Sequence, residues 1–328
     1  MKKSILSILI VLLWAAACKD DNEQSCAGPP TVSAGEDIVA TDQTSVTLTG
    51  TTSDGEGTWT IDEGAGGVIT ENGEVHFKGL LKSTYKLKYE ATNDCGTSVD
   101  YINVTLKVSC GPTKTVNQIV ETMHWILQAC FRIEAAPFTI YTDPNSITKK
   151  DTADIILISH AHGDHFSPAD IDQLIGPNTI LIAPADVNYT GTVKKRVILK
   201  PGEQFEAFDC VTIKAVPAYN VNKTQYHPKS NNWVGYLVTV NGVTFYHAGD
   251  TERIPEMKTF TCDIAMLPLG QTYTFDTVND AVESAKDVQA KVAIPMHFGL
   301  YEGTSDDALS FKNLLDGVIP VVIKEKGL

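Results

Sequence analysis

The sequence is short of positive charge. Across 328 residues, 26 lysines and arginines stand against 40 aspartates and glutamates, a formal net charge of −14. Recognition of a phosphate backbone relies on clustered lysine and arginine, so this balance argues against a nucleic-acid binder. Only one apolar run is long, at the N-terminus, which excludes a polytopic membrane protein. No C-x-x-C occurs, so a zinc knuckle is not expected. With no G-x-S-x-G and no P-loop, serine-hydrolase and nucleotide-triphosphatase chemistry have no motif to rest on. What is present is ordinary globular composition, 43% hydrophobic and 20% charged, which excludes a disordered chain. At about 150 residues per domain the length suggests two domains.

The apolar run reads as an export signal. Lys2 and Lys3 precede residues 5–14, a stretch short for a membrane span, and Ala15, Ala16 and Ala17 lead to Cys18. Small residues before a cysteine resemble the bacterial lipoprotein box, which implies cleavage before Cys18 and lipid on its thiol. An ordinary secretory signal cut after Ala17 is the alternative. Acyl chains contribute about 0.8 kcal/mol per buried CH₂, so a lipidated Cys18 would be firmly anchored. The expectation is a signal peptide at 1–17 and a solvated tether at 18–26. The acidic run from Lys19 to Glu23 resembles the surface-export signal of Bacteroidetes lipoproteins. That resemblance implies a place in the bacterial cell envelope, lipid-anchored in the outer membrane and exposed at the surface. Export also implies an oxidising route in which disulfides persist.

Residues 27–109 and 113–328 follow different grammars. The first stretch is rich in Thr, Gly, Ser and Val, with short alternating runs at 46–49, 58–61, 75–77, 85–89 and 99–108 broken by Asp54-Gly55, Gly66-Gly67 and Asn72-Gly73. Period-two strands at this spacing predict a small all-β sandwich, with Trp59 in its core and His76 on its solvent face. The segment from Val32 to Gly96 resembles the PKD and immunoglobulin-like modules of secreted bacterial proteins, and that resemblance implies a Cys26–Cys95 disulfide. Nothing in this half carries chemistry. Beyond Cys110-Gly111-Pro112, fully apolar runs at 154–159, 179–183, 211–218, 234–240, 243–246, 264–267, 292–295 and 318–323 suggest strands buried on both faces. Helical signals stand between some of them: Ser167-Pro168-Ala169-Asp170 reads as a capped start, and 278–288 and 305–315 have helical period. This is an α/β domain large enough for one substantial core.

The chemistry concentrates in His160-Ala161-His162-Gly163-Asp164-His165, between a buried strand and a capped helix. Imidazole nitrogens and carboxylate oxygens so close together suit zinc, manganese or iron. The H-x-H-x-D-H spacing resembles the signature of the metallo-β-lactamase superfamily. Asp143 in an early Asp-Pro loop, Asp250 in His247-Ala248-Gly249-Asp250 and His297 in Pro295-Met296-His297 continue that resemblance in order. It implies an αββα sandwich over residues 113–328, with two divalent ions, zinc first among them. His160 and His162 would hold the first ion, Asp164, His165 and His297 the second, and Asp250 would bridge. Asp-His at 164–165 favours the hydrolase branch over the diiron oxidoreductase branch, which resembles H-x-E-x-D instead.

One position departs from the pattern. Where relatives place a further histidine, this chain has Tyr219-Asn220, and the next histidine is His227. The form resembles the ascorbate-6-phosphate-lactonase-like subgroup and implies His227 as the first ion's third ligand, with Asn220 or water as the alternative. His247 is expected to support a ligand by hydrogen bonding or to sit in the core, His124 to be structural, and Gln128 to stand where relatives often carry histidine. Lys223 and Lys229 are candidates for an anionic group, or are solvated loop charges.

The expected function is a membrane-anchored metal-dependent hydrolase. A metal-bound hydroxide would attack an ester, lactone or phosphoester, with Asp164 orienting it and moving a proton. The substrate would be a small molecule, and an anionic one if the lysines serve it. The competing expectation is a surface binding or adhesion lipoprotein with an idle metallo-β-lactamase fold.

Overall fold

The structure is a computed structural model and describes residues 27–43, 45–63, 67–69, 74–77 and 83–327. The signal and tether readings, Cys18, Cys26, and the Gly66 and Asn72-Gly73 turn positions lie outside the described residues.

The N-terminal unit is all β. A four-stranded sheet runs Ile38–Thr41, Gly96–Lys107, Ser83–Asn93, Gly57–Glu63, and a three-stranded sheet runs Ser45–Thr47, Glu74–Phe77, Gly67–Ile69. In Gly96–Lys107 the side chains of Ile102, Val104 and Leu106 are buried while Tyr101 and Asn103 face out, the alternation a half-buried strand requires. They pack with Val75, Tyr85 and Leu87. Trp59 is half-buried at the margin of this core, its ring 4.9 Å from that of Tyr89, and His76 is exposed as expected. Cys95 is disulfide-bonded.

Two six-stranded sheets form the rest. The first runs Met123–Leu127, Cys130–Ala135, Phe138–Thr142, Ala153–Leu157, Ile175–Ala183, Lys195–Ile198. The second runs Gln204–Phe208, Val211–Pro217, Val234–Val240, Val243–His247, Ile264–Pro268, Val292–Met296. Apolar runs without alternation are explained by where successive side chains go. Ile155, Leu157, Ile180 and Ile182 join the core between the sheets. Their neighbours Ile156, Ile158, Leu181 and Ala183 join a second cluster with Ile171 and Leu174, beside helix Pro168–Asp172. Helices Val278–Asp287 and Ser305–Leu314 add Ala281, Val282, Ala285, Ala308 and Phe311 to the main core. Each fully buried aliphatic side chain contributes roughly 1.5–3 kcal/mol. The result is the expected αββα sandwich.

Three differences from the sequence pattern stand out. Residues 318–323 form no strand: Val321 makes an isolated bridge to Ala293, held by Ala293 N–H to Pro320 O and Val322 N–H to Ala293 O. Pro320 has no N–H to extend a ladder. Lys195–Ile198 and Gln204–Phe208 are strands that carry no apolar run. Each is the last strand of its sheet and half solvated, so neither needs to be apolar. Helix Val116–Glu121 is fixed by a reciprocal Thr115–Gln118 capping box.

A disulfide between Cys110 and Cys210, 100 residues apart, ties the segment before this helix to the turn ahead of Val211–Pro217. Cys130 and Cys262 are buried and free.

Candidate metal centre

The site is assembled where strands of both sheets end. Ala153–Leu157 leads into the loop carrying His160, His162, Asp164 and His165. Val243–His247 leads to Asp250, and Val292–Met296 to His297. His227 enters from the connection between Val211–Pro217 and Val234–Val240. Gln128, Asp143 and His297 have φ of 49°, 39° and 56°. Left-handed backbone at non-glycine residues is uncommon and concentrates where a structure must aim particular groups.

Three groups of ligand atoms lie within 4.8 Å of one another: His160, His162 and His227; His160, His165 and Asp250; Asp164, His165 and His297. Asp250 joins them. Its Oδ1 is 3.3 Å from Nε2 of both His165 and His297, while its Oδ2 is 3.4 Å from His227 Nε2 and 3.9 Å from His160 Nε2. One carboxylate thus presents a different oxygen to each histidine group, the arrangement expected of a bridge. Asp164 Oδ2 lies 3.6 Å and 3.7 Å from His165 and His297 Nε2.

The surrounding hydrogen bonds decide which ring nitrogen faces inward. Ser159 Oγ donates to Asp143 Oδ2 at 2.6 Å, because a carboxylate can only accept, so its lone pair receives His160 Nδ1–H at 2.9 Å. His165 Nδ1–H donates to Asp143 Oδ2 at 2.8 Å, and His227 Nδ1–H to the Tyr273 carbonyl at 3.2 Å. In all three, Nε2 is left pointing at the centre. This is how supporting residues orient histidine ligands for a metal. His227 Nε2 and Asp250 Oδ1 are buried without a hydrogen-bond partner, a costly arrangement that a cation would relieve. The donor set of imidazoles and carboxylates therefore fits divalent metal.

The electrostatics point the same way. Burial opposes ionisation of His165, yet the Asp250 and Asp143 carboxylates hold its pKa well above the usual histidine range. His297, likewise resisted by burial, is raised to about 9 by Asp250, Asp164 and Glu302. Asp164 is lowered to about 2, against its burial, by His297 and His165. His160, in contrast, is pushed well below the usual range by burial and by the neighbouring His165 charge. Without metal, protons on two histidines hold positive charge where cations would sit.

Glu302 and Trp233 carried no motif in the sequence. Glu302 accepts backbone N–H groups of Thr272 and Tyr273 at 2.8 and 2.6 Å and lies 3.1 Å from His297 Nδ1. Tyr273 returns its carbonyl to His227, so this loop steadies a ligand of each group. The Trp233 ring packs 4.9 Å from His160 and 4.8 Å from His162. Gln128 is buried, and its Nε2 is 3.2 Å from His297 Nε2. Asn220 donates its amide N–H groups to the carbonyls of Tyr273 and Lys223, and its Oδ1 is buried without a hydrogen-bond partner. His247 Nε2 donates to the Ala129 carbonyl at 2.8 Å and is 3.9 Å from Asp143, so it supports backbone rather than a ligand. His124 lies 3.9 Å from Glu134, outside the three ligand groups.

Neither lysine faces the cavity. Lys223 Nζ is 3.0 Å from Asp276, and Lys229 Nζ is 2.8 Å from Glu256 and over the Tyr219 ring. The cavity itself, about 410 Å³, is floored by His162, Asp164, His227, Asp250 and His297.

Comparison with known proteins gives a consistent result. Residues 122–297 match the family model described as "Beta-lactamase superfamily domain". A protein of Thermoplasma volcanium named UPF0173 metal-dependent hydrolase is 32% identical over 215 residues, covering 62% of this chain and 94% of that protein. One of the same name from Thermococcus kodakarensis is 29% identical, covering 62% and 93%. Among solved structures, one described as a metal-dependent hydrolase from Parabacteroides distasonis is 34% identical with a TM-score of 0.54, covering 62% of this chain and 92% of that one. Igni18, a metallo hydrolase from Ignicoccus hospitalis, shares the fold at 21% identity and a TM-score of 0.53, covering 63% and 95%.

Proposed function

From its membership of the beta-lactamase superfamily, among the UPF0173 metal-dependent hydrolases, we propose that this chain is a two-metal hydrolase cleaving an ester, lactone or phosphoester of a small molecule. The metallo-β-lactamase fold and metal-dependent hydrolase class follow from family; the number of ions, zinc as their identity and the range of substrates are our reading. The observation that carries it is Asp250, with one oxygen on each histidine group. His160, His162 and His227 would hold one ion, and Asp164, His165 and His297 the other. Bound divalent metal would supply a nucleophile at neutral pH, by lowering the pKa of water from about 15.7 towards 7, and would polarise the bond under attack.

The chain's own residues do the remainder. Asp164 lines the cavity, so its carboxylate is placed to orient the attacking water and move a proton from it to the leaving oxygen. Asp143, Ser159 and the Tyr273 carbonyl hold three imidazoles in one tautomer. Trp233 covers His160 and His162 and limits water at that side. The Tyr219-Asn220 and His227-Pro228-Lys229 form supports a lactonase-like member within the proposed range.

The test is His162→Ala with metal-loaded protein on a panel of esters, lactones and phosphodiesters. Metal-dependent turnover should fall by at least a hundredfold, and unchanged turnover would sink the reading.

We further propose that the chain is exported and anchored through lipid on Cys18 at the outer membrane, with residues 18–26 as tether and 27–109 as a spacer or adhesion module resembling PKD domains. The Lys2, Lys3 and Ala15-Ala16-Ala17-Cys18 pattern supports this, and a disulfide at Cys110–Cys210 suits an oxidising compartment. Labelled palmitate should enter the wild-type chain and not Cys18→Ala.

A further inference from the structure

We infer that the cavity beside the metal groups takes the non-reacting part of its substrate as an uncharged ring, so that the substrate is a neutral aryl or cyclic ester or lactone. This rests on the hydrolase reading above and narrows it. Away from the ligand groups, the cavity walls are Tyr226, Tyr273 and Tyr301. Tyr226 and Tyr273 are half-buried and meet edge to face, 4.9 Å between ring centres and 86° between planes. Two tyrosines so arranged present a ring face and a ring edge, the surfaces on which another ring packs best. A volume of about 410 Å³ suits a small molecule of one or two rings.

Charge supplies the second half of the argument. Among the described residues, no lysine or arginine lines this cavity, and its charged side chains are the ligand histidines, Asp164 and Asp250. The nearby cations are already paired: Lys223 with Asp276 and Glu252, Lys229 with Glu256, Arg253 with Asp287. A phosphate or carboxylate on the part of the substrate remote from the reacting bond would lose water and gain no counter-charge from the walls. Hydrolysis of the proposed substrate adds water oxygen to the acyl carbon and breaks the acyl C–O bond. One water proton passes to the leaving oxygen, giving acid and alcohol, and no further reactant is needed.

The experiment uses the metal-loaded full chain and two esters with the same scissile bond, phenyl acetate and 4-acetoxybenzoate, with bis(p-nitrophenyl) phosphate as a third probe. The neutral ester should show at least tenfold higher kcat/KM than its carboxylated counterpart. Tyr226→Ala and Tyr273→Ala should each raise KM for phenyl acetate roughly two- to tenfold, with metal content unchanged in Tyr226→Ala, and Tyr226→Lys should shift preference towards 4-acetoxybenzoate. Equal or better turnover of 4-acetoxybenzoate or of the phosphodiester, or an unchanged KM in both alanine variants, overturns the inference and leaves the hydrolase reading standing. No turnover of any ester, lactone or phosphodiester by fully metal-loaded protein overturns both.

Discussion

Replacing Glu302 by glutamine tests whether the residues behind the ligands set metal affinity. The Glu302 carboxylate is buried, accepts from the N–H of Thr272 and of Tyr273 and from the hydroxyl of Thr274 at 3.2 Å, and stands as a charge 3.1 Å from His297 Nδ1. The carboxylate packs closely over Gly270, where a Cβ would overlap it. A glutamine keeps one acceptor oxygen and turns an NH₂ towards donors that need an acceptor. Hydrogen bonds to a charged partner contribute about 1.5–3 kcal/mol, and a buried donor left unsatisfied costs about 1–3 kcal/mol. Loss of one such contact and the charge behind His297 predicts about 2–4 kcal/mol. Supporting residues of this kind typically change metal affinity or activity 10–100-fold. Competition with a chromophoric chelator should therefore show one of the two ions released at least tenfold more readily in Glu302→Gln. The Tyr273 loop also steadies His227, so the other ion should loosen less. Wild-type affinity at both positions in a folded Glu302→Gln variant would refute the claim that this carboxylate positions the centre.

Metal affinity should rise with pH, because a proton on His297 must leave. In the metal-free chain His297 moves from an ordinary 6.5 to about 9. The stability it contributes is fully present below about pH 6.5 and lost as pH rises through about 9. Metal must displace this proton and the one on His165, so affinity should gain at least tenfold per pH unit across this window, measured by chelator competition; a flat profile contradicts it. Replacing both Cys110 and Cys210 by serine should destabilise the folded chain by about 2–5 kcal/mol, read from denaturant midpoints, since the bond closes a 100-residue loop; an unchanged midpoint would show that the bond restrains nothing. Ile156→Ala should cost about 2–5 kcal/mol, as its side chain is fully buried between sheet and helix, and a loss under 1 kcal/mol would mean the outer layer is not packed as described.

The residues that meet at the candidate centre were legible because metal chemistry restricts ligands to few residue types, and H-x-H-x-D-H places four of them in six positions. Asp250 and His297 were legible for the same reason, each following an apolar strand. The groups that aim these ligands were far less so. A glutamate such as Glu302 serves through a carboxylate that any surface loop might carry, and only the fold brings it to His297. Trp233 and Tyr273 likewise read as ordinary aromatics until the loops meet. The buried central strands were legible from unbroken Val, Ile and Leu, while Lys195–Ile198 and Gln204–Phe208 at the sheet ends carry solvated residues and resemble loops. The two lysines near His227 stood open in the sequence between an anion site and solvated charge, and only the fold brings their acidic partners from other segments, Asp276 and Glu256.

Metal stoichiometry measured together with turnover tests the central claim most directly. The full chain, stripped by chelation and reloaded, should bind about two divalent ions and regain hydrolysis in proportion to them, while Asp250→Asn should lose affinity for both at once because it faces both groups. A chain that binds no stoichiometric metal on reloading, or hydrolyses equally well without it, would contradict the account and return the molecule to an idle fold on a surface module.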